Sequence, residues 1–508
     1  MDILKNKFFP GIVLCGLLIA LAFLFQGGRG IWQPDEGYYV GTAVTMMEKQ
    51  TLLIPYLGED EIFLDKPPLI YWGIIAGVKL FGHSEFAARF FHGVCFILTA
   101  ILTGLIGWEL FKDKIVAMLA AFIYSTMFVP FIAANFITPD TLLALWTTMA
   151  MLFFCKSIQP DGKRPLWQML FCLAIGFGFL AKGPAVLIPC GGILVFLAVR
   201  KQLIGYFLTR WSVVGLGLFI IVGLGWYIWF SFKIPGAFSY LLDSQLWGRL
   251  ISEKYKRNPG LSGTLIYLPV LIFGSLPWSV IWIEKRSLAV KTLLPKNLLK
   301  IAGDKPQILF LLCWFFVSLV ILCLASSKLG LYLLPLFPAL AIAAARVWKE
   351  KTPAFDDAAI VRIKSFVRPA ALSFVWVVLL IFSKLALVYY PTPNDMKALW
   401  KQLSSQLPNT DFEICTIDKR ADGLLFYGVK NLEHLATNSS PYPTFSGTEH
   451  ILEEIREMIK EKDVGLFLVQ GDKRIKEVCG ILKNAGVDFR VITLPYNRTL
   501  LTLQFDGR

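Results

Sequence analysis

The chain has 508 residues, of which 56% are hydrophobic and 17% are charged, and its formal net charge is +14. Soluble domains are about 45–50% apolar and about 25% charged, so the composition as a whole excludes an ordinary soluble protein. The positive charge is spread over the loops and does not gather on one face, which argues against a nucleic-acid partner.

Long apolar stretches recur from the amino terminus to residue 390 and are absent beyond it. Stretches of about 18 or more apolar residues are typical of helices that cross a bilayer. The sequence therefore predicts a polytopic α-helical membrane domain over residues 1–390, with about 11 to 13 helices, and a soluble domain over residues 391–508. In chain order the expected spans are 8–26, 85–111, 115–133, 138–155, 165–181, 184–199, 209–232, 263–283, 307–325, 329–347 and 368–390.

Two connections on one side of the predicted bundle are long, residues 27–84 and 233–262. Within the first, residues 67–82 are apolar but short, which is typical of a helix that lies in the membrane interface. The loops on the other side hold more lysine and arginine, and the positive-inside rule assigns such loops to the cytoplasm. We therefore expect the long loops to lie outside the cell and, after eleven crossings, the soluble domain as well.

The soluble stretch alternates helical and strand-like patterns, which predicts a small α/β domain. The helical patterns cover residues 396–407, 449–462 and 474–485. The strand-like patterns cover residues 413–417, 464–470, 489–493 and 500–505.

An acidic pair, Asp35 and Glu36, follows the first apolar segment in the stretch QPDEGYYVGT. Ionised side chains at a membrane are costly and tend to be either paired or functional. The structural alternative is a helix start, with Asp35 as the amino-terminal cap of a helix over residues 36–49. The two interpretations are compatible, because a capping residue can also face a cleft.

A second charged pair, Asp65 and Lys66, lies in the stretch FLDKPPLIYW ahead of two prolines. Lysine is a compact cation that suits a phosphate. An exposed Asp–Lys pair can equally be a surface feature of little energetic value. Taken alone, this stretch leaves both interpretations open.

Further polar residues occur where later predicted segments reach the same side of the membrane. Asp140 opens a span in ITPDTLLALWTT, and Lys182 lies in the tight turn LAKGPAV. Lys328 and Tyr332 are one turn apart on one predicted helix face in SSKLGLYLLPLFP. Arg249 belongs to the aromatic and basic loop DSQLWGRLISEKYKRNPG. Each has an ordinary explanation, such as a helix start for Asp140 and snorkelling for the lysine of the turn.

Taken together, these residues indicate one kind of ligand. A cleft with carboxylates at an outer membrane surface, ringed by lysine and arginine, suits a lipid-linked phosphate. The cations would hold the phosphate and stabilise it as a leaving group. A carboxylate could take the proton from an attacking hydroxyl group, or hold a divalent ion through its oxygens. Apolar grooves between helices would take the lipid chain.

Five stretches in this order resemble the bacterial aminoarabinose transferases of glycosyltransferase family 83, which are related to the dolichyl-phosphate-mannose–protein mannosyltransferases. They are DEGYYVGTAVTMME, FLDKPPLIYWGIIAGVKLFGHSEFAARF, TPDTLLALW, FLAKGPAVLIP and SSKLGLYLLPLFPALA. The resemblance covers about residues 8–350. It implies a multi-spanning glycosyltransferase of the GT-C architecture in the bacterial inner membrane, which uses a polyprenyl-phosphate sugar on the periplasmic side.

The resemblance also implies roles for individual residues. The catalytic carboxylates would be Asp35, Glu36 and Asp140. The donor phosphate would be bound by Lys66, Arg249, Lys328, Tyr332 and Lys182. Tyr38, Tyr39 and Asp65 would line the rest of the cleft.

Three positions depart from the family pattern. The family usually has Arg-Tyr where this chain has Tyr38 and Tyr39, and Glu where it has Asp65. The family often has a histidine shortly before the loop arginine, where residues 245–248 read QLWG. This removes the histidine on which a metal site could be built, so the candidate ligands for a divalent ion are Asp35 and Asp140. No other cofactor is expected.

We therefore expect an enzyme that moves a sugar from an undecaprenyl phosphate donor to a lipid A-type glycolipid or another periplasmic acceptor, with inversion. Transfer to protein, as in the mannosyltransferases, is an alternative. A flippase or transporter of lipid-linked sugars is another, and it would predict ionisable residues at mid-membrane and paired broken helices. A third is a non-catalytic scaffold or receptor.

Overall fold

The computed structural model of the chain describes residues 9–58, 61–159, 163–243, 257–284, 301–351, 359–407, 413–437, 445, 449–461 and 465–504. The α-helices are α1 Phe9–Phe23, α2 Asp35–Glu48, α3 Leu69–Phe81, α4 Glu85–Phe111, α5 Lys114–Thr126, α6 Phe128–Ala134, α7 Pro139–Ser157, α8 Arg164–Lys182, α9 Leu187–Val199, α10 Leu203–Phe207, α11 Arg210–Phe219, α12 Gly225–Lys233, α13 Ala237–Tyr240, α14 Gly260–Leu265, α15 Tyr267–Gly274, α16 Ser279–Glu284, α17 Pro306–Leu312, α18 Ser318–Leu324, α19 Phe337–Lys351, α20 Ala359–Val388, α21 Met396–Gln406, α22 Ile451–Glu461 and α23 Asp472–Asn484. The strands are β1 Tyr56–Leu57, β2 Glu61–Ile62, β3 Glu413–Ile417, β4 Asn431–Ala436, β5 Glu449–His450, β6 Gly465–Gln470, β7 Asp488–Leu494 and β8 Arg498–Gln504.

Within the described residues, six helical segments are long and apolar enough to cross a membrane, or seven if a bent pair is one span. They are Glu85–Phe111, Arg164–Val199, Arg210–Lys233, Pro306–Leu324, Gly330–Glu350 and Ala371–Val388, with Lys114–Thr126 and Phe128–Ala134 as the pair bent by 64°. Two predicted spans, 165–181 and 184–199, form one run of 36 residues, because a short 3-10 turn at Gly183–Val186 links α8 to α9. The polytopic helical architecture is confirmed, and the number of crossings stays a prediction.

The contacts between residues divide the chain into two compact units. The first, called the membrane unit here, consists of Met1–Gln26 and Phe90–Ala386. The second, called the sheet unit, consists of Gly27–Arg89 and Leu387–Arg508. The long loop after α1 is thus grouped with the carboxyl-terminal residues. The predicted division at residue 390 into membrane and soluble domains stays a prediction.

In the membrane unit, the antiparallel pair α7 and α8 positions two of the predicted site residues. The Trp146 and Phe177 rings stack between these helices with centroids 4.5 Å apart. Gly178 of α8 lets the 3-10 turn that follows this helix pack closely against it, because a Cβ atom at Gly178 would lie 2.4 Å from a methyl carbon of Val186. Since α7 and α8 run in opposite directions, the start of α7 lies beside the end of α8, and this brings Asp140 to Lys182.

A buried lysine holds the end of α1 in the same unit. Lys384 of α20 is 4% exposed, and its ammonium group donates hydrogen bonds to the carbonyl oxygens of Leu21 and Ala22 at 3.1 and 3.0 Å. The last carbonyl groups of a helix have no partner within the helix and carry partial negative charge. This buried cation is therefore satisfied by the protein itself.

The sheet unit contains a six-stranded mixed sheet with the order β5-β4-β3-β6-β8-β7. The strands β5, β4, β3 and β6 are parallel, and β8 pairs antiparallel with both β6 and β7. One face packs on α22 and α23 and the other on α21, because β3 and β6 alternate apolar side chains between two hydrophobic clusters. The predicted α/β domain is confirmed, whereas β4 and the 3-10 helix Asp422–Tyr427 were not predicted.

Candidate active site

The predicted site residues fall in both units, and each group is described within its own unit. In the sheet unit, α2 begins at Asp35, and the residue before it, Pro34, makes no side-chain capping bond. The predicted cap at Asp35 is therefore wrong by one position, since Asp35 is the first residue of the helix itself. Asp35 is exposed, whereas the next residue, Glu36, is 1% exposed. The acidic pair thus divides into one accessible and one buried carboxylate.

Glu36 is enclosed by two arginines. Its Oε2 atom accepts from Arg29 at 2.7 Å, from Arg89 at 2.8 Å and from the backbone N–H of Trp32 at 3.1 Å. Its Oε1 atom accepts from Arg29 and from Arg89, both at 2.9 Å. Burial works to raise the pKa of this carboxyl group, but the two guanidinium groups outweigh burial and hold the pKa well below its ordinary value.

A carboxylate held in this way is a poor proton acceptor at neutral pH. Arg89 also donates to the carbonyl oxygens of Arg29 and Gly30, at 3.0 and 2.6 Å. The three charged side chains therefore tie the segment before α2 to the second turn of α4. This geometry favours a role in fixing the start of α2, and it does not favour the predicted catalytic role of Glu36.

The two tyrosines after the acidic pair have different surroundings. Tyr38 is partly buried and stacks on Phe63, with ring centroids 5.5 Å apart. Burial, with Asp422, Asp35 and Asp65 nearby, raises the pKa of Tyr38 above its ordinary value, so its hydroxyl group stays a hydrogen-bond donor. Tyr39 is 7% exposed and lies against Tyr71 at a centroid distance of 6.3 Å, which makes it part of the packing between α2 and α3.

Asp65 and Lys66 form the ion pair that their spacing suggested. The Lys66 ammonium group lies 2.6 Å from Asp65 Oδ2 and donates to the Asp65 carbonyl oxygen at 3.0 Å. The Lys66 side chain is 9% exposed, while that of Asp65 is 33% exposed. The pair is therefore more enclosed than an ordinary surface pair, with its carboxylate on the accessible side.

In the membrane unit, Asp140, Lys182 and Tyr332 come together. The Lys182 ammonium group lies 2.5 Å from Asp140 Oδ1 and 4.3 Å from the centre of the Tyr332 ring. The second oxygen of Asp140 accepts from the hydroxyl group of Thr138, at 3.0 Å. Thr138 also caps α7 by accepting from the backbone N–H of Asp140. Asp140 is thus a first-turn residue of α7 whose two oxygens both have partners.

Lys328 is the second cation of this unit. Its backbone is fixed, since its N–H donates to the carbonyl oxygen of Arg257 at 2.8 Å and its own carbonyl accepts from Asn258 at 3.0 Å. The residue is 3% exposed, yet no carboxylate of the described residues forms an ion pair with its ammonium group. Lys328 precedes the 3-10 helix Gly330–Leu336 that carries Tyr332, so the predicted common helix face is wrong.

An ammonium group removed from water without a counter-charge is costly, because the low dielectric of the interior disfavours the charged form. In Lys182 the charge is balanced by Asp140. In Lys328 it is balanced by no acidic side chain of the described chain. Among the described residues of the membrane unit, Lys328 is therefore the buried cation best suited to an anionic ligand. Arg249, the other predicted phosphate ligand, lies outside the described residues.

A divalent ion at Asp140 would not fit this geometry. Such ions take several oxygen ligands, and both carboxylate oxygens of Asp140 are engaged, one by a lysine cation and one by a hydroxyl group. Asp35 is exposed and could offer an oxygen ligand. We therefore derive no step through a metal ion, and the predicted ligand role of Asp35 stays a prediction.

Arg29, Arg89 and Arg420 were not predicted as site residues. Arg89 lies within the stretch FGHSEFAARF, and its position in the first turns of an apolar helix is a usable signal, since a charge there needs a partner. Arg420 comes from the carboxyl-terminal residues, far along the chain from its partner Glu61, and no local pattern connects the two.

Comparison with known proteins adds an independent line of information. Residues 65–229 match the family described as dolichyl-phosphate-mannose-protein mannosyltransferase. Over 343 residues the chain is 27% identical to the undecaprenyl phosphate-alpha-4-amino-4-deoxy-L-arabinose arabinosyl transferase of Photorhabdus laumondii. The aligned region covers 66% of this chain and 59% of the relative. The chain is 28% identical to a second such transferase from Proteus mirabilis, with the same coverage.

The fold is similar to that of ArnT from Cupriavidus metallidurans, whose crystal structure was determined bound to undecaprenyl phosphate. The TM-score is 0.79 at 17% identity, and the match covers 98% of both chains. The chain therefore has the GT-C fold, a multi-spanning helical bundle with an added sheet-containing domain.

The resemblance to the aminoarabinose transferases and their mannosyltransferase relatives, predicted from the five ordered stretches, is confirmed. The chain spans about 59% of the length of the two transferases that it matches by sequence.

Proposed function

We propose that this chain is an integral-membrane glycosyltransferase that takes its sugar from a polyprenyl-phosphate donor. The observation that carries the proposal is Lys328, a 3% exposed lysine with no acidic partner among the described residues. A phosphate would supply the missing counter-charge. The membrane unit would hold the lipid chain of the donor, as the apolar helices imply.

The two lysines of the membrane unit would have different tasks. Lys182 already pairs with Asp140 and lies over the Tyr332 ring, so this group adds little net charge and serves mainly to shape the site. Lys328 has no such carboxylate partner among the described residues. As the bond between the sugar C1 atom and the phosphate oxygen breaks, the electron pair goes to the phosphate, and a fixed cation there stabilises the transition state.

The acceptor oxygen would attack C1 from the face opposite the departing phosphate, and the product would have inverted configuration. If the acceptor is a hydroxyl group, a base must take its proton, and the exposed carboxylate of Asp35 is the candidate. If the acceptor is a phosphate group, it is already largely ionised at neutral pH, since its second pKa is about 6, and no base is needed. The effect of removing the Asp35 carboxylate therefore reports on the class of acceptor.

The names of the relatives support a donor in which undecaprenyl phosphate carries an aminoarabinose sugar. An acceptor of the lipid A type rests on the resemblance to the aminoarabinose transferases. The excess of lysine and arginine in the opposite loops supports a reaction on the periplasmic side of the inner membrane. The match to the protein mannosyltransferase family over residues 65–229 favours protein as a second candidate acceptor. The mass of the product distinguishes the two.

The test is a mass-spectrometric assay of purified protein in detergent, supplied with pooled undecaprenyl-phosphate sugars and a lipid extract. We expect wild type to release undecaprenyl phosphate and to form one new glycosylated product. Asp35→Asn should lower the rate with a hydroxyl acceptor. The matched control is Asp472→Asn, because Asp472 is also an exposed first-turn acid of a helix. Lipid binding without release from any donor would overturn the proposal and favour a flippase or a scaffold.

A further inference from the structure

Within the sheet unit, the segment that leads into α2 is bound along its backbone by the carboxyl-terminal residues. The N–H of Gln33 donates to the carbonyl oxygen of Asn394 at 2.8 Å, and the N–H of Met396 donates to that of Ile31 at 3.0 Å. The N–H of Ile31 in turn donates to the hydroxyl group of Tyr427 at 2.9 Å. The chain immediately before Asp35 is therefore paired with residues from the far end of the sequence.

A buried ionic network reinforces this pairing. It consists of Gln33, Glu61, Arg420 and Asp422, and is called the Arg420 network below. Arg420 donates two hydrogen bonds to the carboxylate of Glu61, at 3.0 and 2.5 Å, and its Nε atom donates to Asp422 Oδ1 at 3.1 Å. Gln33 donates to Asp422 Oδ2 at 2.8 Å and accepts from the N–H of Gly423 at 3.3 Å.

The network is well shielded from water. The Arg420 and Asp422 side chains are 11% and 4% exposed, and Gln33 is 8% exposed. Burial opposes the charged form of Arg420, but Asp422 and Glu61 outweigh it and raise the pKa of the guanidinium group. Bidentate bonds between arginine and a carboxylate have a fixed geometry as well as strength. The network therefore fixes the positions of its side chains relative to one another, in addition to balancing their charges.

Two glycines let α2 approach the 3-10 helix Asp422–Tyr427 closely. A Cβ atom on Gly41 would lie 2.7 Å from the carbonyl oxygen of Asp422. One on Gly37 would lie 1.5 Å from the side-chain oxygen of Gln33 and 3.1 Å from the N–H nitrogen of Gly423. These glycines are one turn apart, so the part of α2 that carries them lies directly against the 3-10 helix Asp422–Tyr427.

The Arg420 network also reaches a predicted cleft residue. The Arg420 guanidinium group lies 5.8 Å from the ring centre of Tyr38 and 5.9 Å from that of Phe63, on which Tyr38 stacks. A cation near an aromatic ring is attracted to it. Tyr38 follows Asp35 by three residues, so the two lie on neighbouring positions of one helix face. The placement of Arg420 thus bears on both side chains.

We propose that Arg420 and Asp422 are positioning residues of the reaction, and that residues 394–407 and 413–427 are a working part of the catalytic apparatus. They set the first turn of α2 and, through it, Asp35 and Tyr38. This inference rests on the proposed function. It assigns a task to the carboxyl-terminal residues, which the sequence did not suggest, and it predicts that they cannot be replaced by an unrelated soluble domain.

The test combines hydrogen–deuterium exchange of the full-length protein with steady-state kinetics on Arg420→Met, Arg420→Lys and Asp422→Asn. We expect faster exchange over residues 31–41 in Arg420→Met. Misplacement of a catalytic group by about 1 Å can cost about 100-fold in rate, so we expect kcat to fall about 10- to 100-fold with the KM for the donor unchanged. Arg420→Lys should recover part of the loss. The control is Arg474→Met, which breaks an ion pair with Asp418 in the same unit.

The outcomes separate this inference from the proposed function. Unchanged exchange over residues 31–41 in Arg420→Met would overturn it, whatever the enzyme does. Faster exchange with wild-type kcat would overturn the catalytic part. An equal loss in Arg474→Met would point to general destabilisation and would also overturn it. If wild type transfers no sugar from any donor, the proposed function fails, and the exchange data alone decide whether the Arg420 network holds α2.

Discussion

Two buried charges, one in each unit, have opposite surroundings. In the sheet unit, Glu36 is 1% exposed and both of its oxygens accept from arginine side chains. In the membrane unit, Lys328 is 3% exposed and no carboxylate of the described residues pairs with it. The first arrangement is complete within the protein, whereas the second lacks a counter-charge among the described residues. Burial alone therefore does not mark a functional charge, and the presence or absence of a partner does.

A lysine elsewhere in the membrane unit strengthens the contrast. Lys384 is as buried as Lys328, but two carbonyl oxygens at the end of α1 satisfy it. Mutations at the paired and unpaired positions should thus have opposite effects on stability and activity. The predictions below use this difference, beginning with the largest expected effect.

The largest effect on stability is expected from Arg89→Met. Arg89→Met deletes the hydrogen bonds of Arg89 to both oxygens of Glu36 and to the carbonyl oxygens of Arg29 and Gly30, and each buried acceptor left unsatisfied typically costs about 1–3 kcal/mol. Here Glu36 would keep only Arg29, so we expect a clear fall in the melting temperature in detergent. Arg456→Met, at an exposed position of α22, is the control and should change nothing. An Arg89→Met protein that melts like wild type would mean that the ion triplet does not hold the fold.

Lys328→Gln should lower activity without lowering stability, unlike Arg89→Met. We expect the rate of sugar transfer to fall about 100-fold, which corresponds to about 2.7 kcal/mol of transition-state stabilisation. Without lipid, its melting temperature should equal or exceed that of wild type, because an unpaired buried charge is removed. Both quantities are measured on the same preparation. A large loss of stability in Lys328→Gln would place Lys328 among the structural charges and abolish the contrast.

Gly41→Ala tests the close approach of α2 to the 3-10 helix. The added methyl group would lie 2.7 Å from a backbone oxygen, and such overpacking typically costs about 1–3 kcal/mol. Gly217→Ala in α11 is the matched control, since a Cβ atom there meets nothing within 4 Å and alanine favours a helix. Thermal unfolding of both variants gives the comparison. Equal melting temperatures for the two would contradict the tight contact.

The smallest effect is a pH dependence in the carboxyl-terminal sheet. Burial, together with Glu454, Glu413 and Glu449, raises the pKa of Glu433 from 4.5 to about 8. One carboxylate oxygen from each of Glu433, Glu413 and Glu454 and the Sγ atom of Cys415 all lie within 4.8 Å of one another. The carboxylates in this cluster repel one another when they are ionised. Burial lowers the pKa of the neighbouring His434 from 6.5 to about 4.

The signs of these two shifts are opposite. Glu433 keeps a proton in the folded state that the unfolded chain releases above pH 4.5, so its contribution to stability is lost as the pH rises toward 8. For His434, stability is lost as the pH falls from 6.5 to 4. Between pH 6.5 and 8 only Glu433 acts, and we expect the melting temperature to fall there. Glu433→Gln should remove that slope, and a slope unchanged in the variant would refute the assignment.

Much of the architecture was predictable because it depends on local patterns. Long apolar runs predicted the helical bundle, and alternation in the carboxyl-terminal residues predicted β3 and α21 closely. The 3-10 helix Asp422–Tyr427 was not predicted, because it packs on Gly37 and Gly41, which are distant in sequence.

The residues of the site were predicted individually, but the contacts between them were not. Asp140 and Lys182 were singled out separately, but only the antiparallel packing of α7 and α8 joins them. Asp35 and Glu36 are neighbours in sequence, yet a turn of 100° per residue in a helix directs one to solvent and the other to Arg29 and Arg89. Sequence spacing carries no information on such partners when they come from distant segments.

The most direct test of the central claim is the binding of undecaprenyl phosphate, measured by the shift in melting temperature and by native mass spectrometry. Wild type, Lys328→Gln and the exposed-lysine control Lys233→Gln would be titrated with the lipid. We expect the lipid to raise the melting temperature of wild type and Lys233→Gln, and to have little effect on Lys328→Gln. Equal binding by all three would contradict the claim that the unpaired charge of Lys328 is the phosphate site.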